Sequence, residues 1–429
     1  MTNHTLDKAN TTEAILQEDL FDAAWYCTTY PDVRELGMDP EYHYHTYGHR
    51  LGRNPSPNFP TNFMRRVYSL PRAASPVLRL RKMIKETGNL PAPPPKNILR
   101  AANELASTGS HHLAIELARK YLPTHLAHTI NILEANYQLR TGSGETGWLR
   151  HINRYLDHYG LSHLQLEGEG TAFSCLSSTP SPTLVTDGPL ISVIMAAYNA
   201  GSTVTQAAQS ILNQTWRNLE LLIVDDCSDD NTWAILEELA KSDCRVRVFR
   251  NASNVGPYVS KNIALTNAKG VWVTGQDADD WSHPERLTTH VHLAAKKSTA
   301  ASITRMIRMR EDGFLSRITG ISDITPDGVS LKSSISCMYN REFLINRLGF
   351  WDCARFGADS EMIDRARIAQ GHDVETFETI GMLCLDLGTG LSNHEQWGID
   401  HPDRSNSPRQ KYRKAWLEWH ENLTGDDDV

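Results

Sequence analysis

From residue 189 onward the chain alternates short apolar runs with amphipathic stretches, and this alternation restricts its fold more than any other feature. An apolar run at 191–196 and the stretches 219–224, 246–250 and 271–274 have the length of strands. The intervening stretches 202–214 and 231–242 have helical spacing. In the first of them Val204, Ala207, Ala208, Ile211 and Leu212 recur at i, i+3, i+4, i+7 and i+8, the stripe of a helix lying on a sheet. Strands joined by helices pair in parallel through right-handed crossovers. The expectation is an α/β domain with a mostly parallel central sheet over 189–405.

Ahead of this domain the chain changes character several times. Residues 1–17 are polar and read as a flexible tail. Residues 18–62 are a small module dense in aromatics, where Trp25, Tyr26, Tyr42, Tyr44 and Tyr47 are expected to form the core of a helical cap. Within 63–97 lie Arg65, Arg66, Arg72, Arg79, Arg81, Lys82 and Lys85, which suit either a solvated face or an anionic membrane surface. Pro71 and Pro76 break any long helix there, which favours the solvated face, and PAPPPK, ending at Lys96, is a stiff linker. Over 98–170 the spacing of Leu113, Leu117 and Ala118, with Gly109 as a turn, predicts helical hairpins of repeat-like character. Residues 171–188 are rich in Ser, Thr and Pro and read as a last linker, and 406–429 as a helix followed by an acidic tail. This N-terminal region is the candidate contact for a peripheral membrane surface or a protein partner.

Composition narrows the function classes. At 429 residues the chain has room for two or three domains, and a formal net charge of -8 argues against a nucleic-acid partner bound through phosphate neutralisation. Seven cysteines without any C-x-x-C spacing suggest neither a zinc site nor a disulfide framework, so a reducing cytoplasm is the expected location. The polar N-terminus lacks the apolar stretch of a secretion signal, and no run of about 18 apolar residues is long enough to span a bilayer.

Ligands of open α/β sheets bind beyond the carboxyl ends of the strands, and here every strand end is polar. The four clusters are Ala197-Tyr198-Asn199, Asp225-Asp226-Cys227-Ser228-Asp229-Asp230, the residues 251–256, and Asp277-Ala278-Asp279-Asp280. Two carboxylates at alternate positions, Asp277 and Asp279, make a hard oxygen environment suited to Mg²⁺ or Mn²⁺ already bridged to a diphosphate. Asp225 and Asp226 are free for other work, because Asp230 or Asn231 can cap the helix that follows. Further along, Asp359 either accepts a proton or caps the helix expected to begin near Ser360.

Together these residues resemble the family 2 glycosyltransferases of the GT-A fold, through ISVIMAAYN, VDDCSDDNT, NVGPYVSKN and QDADDWSHPERL in that order. The stretch 21–57 is also similar to a short module of bacterial envelope-polysaccharide glycosyltransferases. The resemblance implies a nucleotide-sugar donor, a UDP-sugar, stacked on Tyr198, with Asp226 accepting the uracil N–H and Asp277 touching the ribose. Ala197, Asn199, Lys261 and Asn262 belong to the same donor-binding set. It implies that Asp279 holds the metal, Mn²⁺ or Mg²⁺, with His394 as a further ligand. FGADSEMIDR resembles the family's acidic motif, with Ala358 in place of the usual Glu. By that match Asp359 is the catalytic base, and Glu361 and Arg365 support it or meet the acceptor. The acceptor is then a saccharide, a lipid-linked saccharide or a protein, and the reaction inverts the anomeric carbon. Absence of a Q-x-x-R-W signature favours transfer of single sugars. A nucleotidyltransferase would need a Gly-rich basic loop after the first strand, which Tyr198-Asn199-Ala200-Gly201 is not. A binding protein acting through 98–159 would not need Asp226, Asp279 and Asp359. Residues 303–349, which would select sugar and acceptor, carry no readable code.

Overall fold

The computed structural model describes residues 20–422 apart from 58, 88–91, 108, 110, 142–144, 181–182 and 388–406. The expected tail at 1–17, His394 and the acidic end of 406–429 therefore lie outside the described residues. The chain divides into two compact units, one of 1–137 with 318–329, the other of 138–317 with 330–429. Among the described residues no helix is long and apolar enough to cross a membrane.

The first unit is helical. Its aromatic module packs Phe21, Tyr26, Val33, Tyr44, Phe59, Met64 and Leu80 into one core. The Tyr26 hydroxyl meets His43 Nδ1 at 3.1 Å and the Tyr44 hydroxyl meets Thr61 Oγ1 at 2.8 Å, so both buried phenols are satisfied. A Cβ at Gly48 would overlap the Tyr26 hydroxyl. Tyr42 and Tyr47, expected in this core, are instead 58% and 48% exposed. The helix Pro40–His43 and the wider turn Tyr44–Gly48 direct His43, Tyr44 and Gly48 inward, which turns these two rings out. Helices Thr61–Val67 and Pro76–Thr87 are separated around Pro71, with Pro76 opening the second. Helices Pro95–Ser107 and His111–Tyr121 meet at Gly109, whose φ of 91° is the left-handed turn expected there.

The second unit contains a small hairpin, β1 (Leu164–Leu166) with β2 (Leu176–Ser178), so part of the stretch read as linker is paired. The rest is built on β3 (Ile191–Ala197), β4 (Leu219–Asp225), β5 (Val246–Arg250), β6 (Trp272–Asp277), β7 (Trp281–Ser282), β8 (Ala301–Met309), β9 (Leu331–Lys332), β10 (Met338–Asn340) and β11 (Glu375–Leu385). They form one sheet of order β5-β4-β3-β6-β10-β8-β11-β7, with β9 beside β8. The half predicted from apolar runs, β5 to β6, is parallel throughout. β10 adds antiparallel to both β6 and β8, and β8 pairs β11 in parallel. Alternate residues of β3 feed two cores: Ile191, Val193 and Met195 face the helices Val204–Leu212 and Arg286–Lys297, and Ile194 faces Pro257–Asn267 and Ala358–Gln370.

β3 is the switch point, because its crossovers lead to β4 on one side and, after β5, to β6 on the other. Its register aligns Ala197 with Asp225 and Ala196 with Asp277, which brings the acidic ends of β4 and β6 flush along one rim.

Candidate functional site

The loops on this rim are stitched together by short polar side chains. The Asn199 N–H donates to Ser228 Oγ at 2.9 Å, and the Asp229 N–H donates to Asn199 Oδ1 at 3.1 Å. Asn199 has a φ of 48°, a backbone that Asn tolerates better than most residues. Tyr198, held between these contacts, is 51% exposed and offers a free ring face. Ala197, by contrast, is in the core, and its carbonyl accepts from the Asp226 N–H at 2.8 Å. Its methyl is therefore packed beneath the loop and does not line the rim.

Asp226 is buried and organises the next loop. Its Oδ1 accepts from Asn251 Nδ2 and the Val255 N–H, and its Oδ2 from the Gly256 N–H, at 2.8, 2.9 and 2.8 Å. One lone pair on Oδ2 remains to meet an incoming N–H. Gly256, at a φ of 101°, lets the chain turn into the helix Pro257–Asn267 while delivering that N–H. Asp225 pairs with Arg250 at 3.0 Å; Asn231 stands at the N-cap of the next helix, and Asp230 just before it accepts from the Thr232 N–H at 2.9 Å, so neither Asp225 nor Asp226 is spent as a cap.

The helix Pro257–Asn267 carries the centre of the site. Lys261 is 3% exposed, and its Nζ lies 3.7 Å from Asp277 Oδ1 and 3.3 Å from Asp359 Oδ2. One ammonium thus bridges the end of β6 to the start of the helix Ala358–Gln370. Burial opposes its charge, yet Asp359 and then Asp277 hold it above its ordinary range. One turn earlier, the Tyr258 hydroxyl donates to Asp359 Oδ2 at 3.0 Å. Burial first, and the two carboxylates after it, hold that phenol protonated as a donor. Asn262 is committed elsewhere: its amide donates to the Trp351 carbonyl at 2.7 Å and accepts from the Trp351 N–H at 3.0 Å. It pins the segment leading to Asp359 through one N–H and one lone pair of its amide.

Asp359 is not a cap. The helix Ala358–Gln370 starts one residue earlier, with Gly357 at its N-cap in the left-handed conformation, and the Asp359 carboxylate points to Tyr258 and Lys261. Glu361 and Arg365 do not reach the rim. Glu361 is sealed, ion-paired to Arg365 and joined to His420 Nε2 at 3.0 Å, while Arg365 also donates to the Leu348 and Phe350 carbonyls. Their work is to bind the C-terminal helix Pro408–His420 and the preceding loop to the helix that bears Asp359.

At the end of β6 the side chain of Asp277 is 47% exposed. The Asp279 carboxyl is pushed up to about 6 by burial and then by Asp277, so negative charge is crowded there with few cations to offset it. Among the described residues no three His, Cys, Asp or Glu side chains converge to enclose an ion. Such a donor set fits a divalent cation that takes one or two protein oxygens and draws its other ligands from phosphates. His394, the second expected ligand, lies outside the described residues.

The sequence reading missed two supports. Arg286 is fully buried behind β6, donating to Gln276 Oε1, Ser282 Oγ, Thr274 Oγ1 and the Gly275 carbonyl, all at 2.7–2.8 Å. Asp280, also buried, accepts from the Leu385 N–H at 3.0 Å and so ties the acidic loop to β11. Both sit inside QDADDWSHPERL, where an Arg on an otherwise apolar helix face was the available signal. Tyr258 was legible too, because it lies one turn before Lys261 on the same face.

The model of the family described as glycosyl transferase family 2 matches residues 192–350. These residues are a family 2 glycosyl transferase domain. Asp359 and its helix follow the matched stretch directly. The family 2 domain is 37% identical over 125 residues to the putative teichuronic acid biosynthesis glycosyltransferase TuaG of Bacillus subtilis, covering 29% of this chain and 50% of that one. It is 32% identical over 152 residues to UDP-Glc:alpha-D-GlcNAc-diphosphoundecaprenol beta-1,3-glucosyltransferase WfaP of Escherichia coli, covering 34% and 58%. The chain thus spans about half the length of these curated relatives. Among solved structures, the mannosyltransferase PcManGT from Pyrobaculum calidifontis in complex with GDP-Man and Mn²⁺ aligns at 18% identity and a TM-score of 0.40, over 68% of this chain and 75% of that one. In the family 2 domain the sheet, parallel at β3–β6 and extended by β10, β8 and β11, is the GT-A arrangement that the motifs implied.

Proposed function

We propose that the protein transfers a sugar from a UDP-sugar to an acceptor hydroxyl, with inversion, in the synthesis of a bacterial envelope or extracellular polysaccharide. The observation that carries this reading is the Lys261 bridge, which gathers Asp277 and Asp359 at the rim where β3 also ends, just before the exposed Tyr198. The UDP donor and the polysaccharide setting are supported by the bacterial relatives, one named a UDP-Glc glucosyltransferase and one a putative teichuronic acid biosynthesis glycosyltransferase.

In this reading Tyr198 stacks on uracil, the remaining Oδ2 lone pair of Asp226 receives the base N–H, and Asp277 meets the ribose. Asp359, oriented by Tyr258 and Lys261, accepts the proton of the acceptor hydroxyl. The freed oxygen forms a bond to the anomeric carbon from the face opposite the diphosphate, the carbon–phosphate-oxygen bond breaks, and UDP leaves with that electron pair. Proton acceptance of this kind contributes roughly 10²–10⁴-fold. Asp279, with His394, would hold the divalent cation, whose chemistry is to offset charge on the departing diphosphate. The test is UDP release from a panel of UDP-sugars with and without Mn²⁺, on the native chain and on Asp279→Ala. Release should need the metal, and the variant should lose both the release and the Mn²⁺ dependence of UDP binding; full activity in the variant sinks the assignment.

A further inference from the structure

We infer that the first unit holds an anion-binding site for a phosphate-bearing group, in an open pocket of about 350 Å³ lined by Arg50, Arg65, Arg66 and Arg72, with Asn62 and Leu51 beside them. Among the described residues no acidic side chain lines it. Among the described residues only Arg66 of the four has a carboxylate partner, Glu104 at 2.7 Å. Arg65 spends its guanidinium on neutral acceptors, the carbonyls of His49, Arg72 and Ala74 at 2.7, 3.1 and 3.3 Å and the His49 ring. Its Nε is buried with no hydrogen-bond partner.

This gathering of like charge stands out in a chain whose net charge is -8. It costs free energy unless an external anion neutralises it. The local field is strong enough to show on a neighbour: burial, then Arg65 and Arg50, push the His49 imidazole down to about 4, so it stays neutral and adds no competing charge. Guanidinium forks match the oxygens of phosphate in a bidentate way, which carboxylate-free arginine clusters exploit. Leu51, 67% exposed beside the cations, places an apolar side chain where acyl chains would begin. A basic pocket with an apolar rim fits a lipid headgroup better than a free phosphate.

The full chain, saturated with UDP so that diphosphate sites elsewhere are filled, is titrated with pyrophosphate at fixed ionic strength while its melting temperature is followed. In parallel it is sedimented with phosphatidylcholine vesicles, with and without phosphatidylglycerol. The native chain should show a saturable rise in melting temperature and sediment only with the phosphatidylglycerol vesicles. The double variant Arg50→Gln/Arg72→Gln, altered at two exposed side chains, should keep its ligand-free melting temperature. Its half-saturation should weaken by about tenfold, the equivalent of about 1.4 kcal/mol. Arg79→Gln/Lys85→Gln removes the same charge from exposed positions of Pro76–Thr87 and should respond as the native chain does. A pyrophosphate response without vesicle binding still places an anion in the pocket and makes its source a soluble phosphorylated compound. Equal responses in native chain and double variant, or an equal loss in the Arg79/Lys85 control, overturn the proposal.

Discussion

Asp359 and Glu361 stand two residues apart on one helix and have opposite surroundings. Asp359 opens toward the rim, with a phenol and an ammonium as partners and part of its carboxylate exposed. Glu361 is closed in by Arg365 and His420, with no access to solvent. Two steps along a helix turn the side chain by about 200°, so neighbours in a motif face opposite sides. The difference teaches that an acidic motif divides its labour: one carboxylate can exchange a proton with a substrate, and the other fastens the scaffold.

The largest effect expected from breaking this division is on turnover. Asp359→Asn should lower it by roughly 10²–10⁴-fold while UDP still protects the protein against unfolding. Some stability should also be lost, because buried Lys261 keeps Asp277 alone as a carboxylate partner. Near-normal turnover in single-turnover assays would transfer the role of base to another group, and Glu361 is already sealed off.

Glu361→Gln should do the reverse, costing about 3–5 kcal/mol of stability by leaving Arg365 and His420 without their anion. Turnover per folded molecule should hold. Burial pushes the Glu361 carboxyl up, but the hydrogen bonds from His420 and Arg365 more than offset this and hold it below its usual 4.5. A depressed carboxyl adds stability that is complete above its unfolded value and is lost as pH falls through the folded one. Denaturant unfolding of the native chain should therefore weaken on acidifying below about pH 4.5, and the Gln variant should have a flatter profile in that window. Identical profiles would remove the carboxylate from the clamp.

Tyr258→Phe sharpens the comparison further. Losing one hydrogen bond to a charged group is worth about 1.5–3 kcal/mol, so kcat should fall by roughly 10–10²-fold, with the donor KM unchanged. A change in KM alone would make Tyr258 a donor contact. The smallest effect is expected at Tyr198→Ala, where loss of stacking worth about 0.5–1.5 kcal/mol should weaken UDP binding by at most about tenfold in calorimetry. GDP binding stronger than UDP binding would contradict the uracil reading.

How much was legible follows from burial pattern. β3, β4 and β6 are buried on both faces through their middles, so each reads as an apolar run ending in polar residues, and the acidic ends of β4 and β6 could be placed on one rim before any coordinates, whereas β5 is buried only at Val246. The other half of the sheet hides its signal. β8 interrupts its apolar residues with Thr304, Arg305 and Arg308, and β7 and β9 are two residues long. Their pairing depends on partners far along the chain. Side-chain commitments were harder still: nothing in NVGPYVSKN distinguishes Lys261, which bridges Asp277 and Asp359, from Asn262, whose amide is hydrogen-bonded to the Trp351 backbone. A motif names residue types, whereas rotation about a helix decides which of them meets a ligand.

The Lys261 bridge makes the two ends of the rim thermodynamically interdependent. Asp277 and Asp359 share one positive charge, so any event that alters the field at Asp277 changes how strongly that charge is felt at Asp359. Such coupling is reciprocal: the factor by which occupancy near Asp277 shifts affinity at Asp359 equals the factor by which occupancy at Asp359 shifts affinity near Asp277. A single side chain would thereby let each of two ligands report the presence of the other.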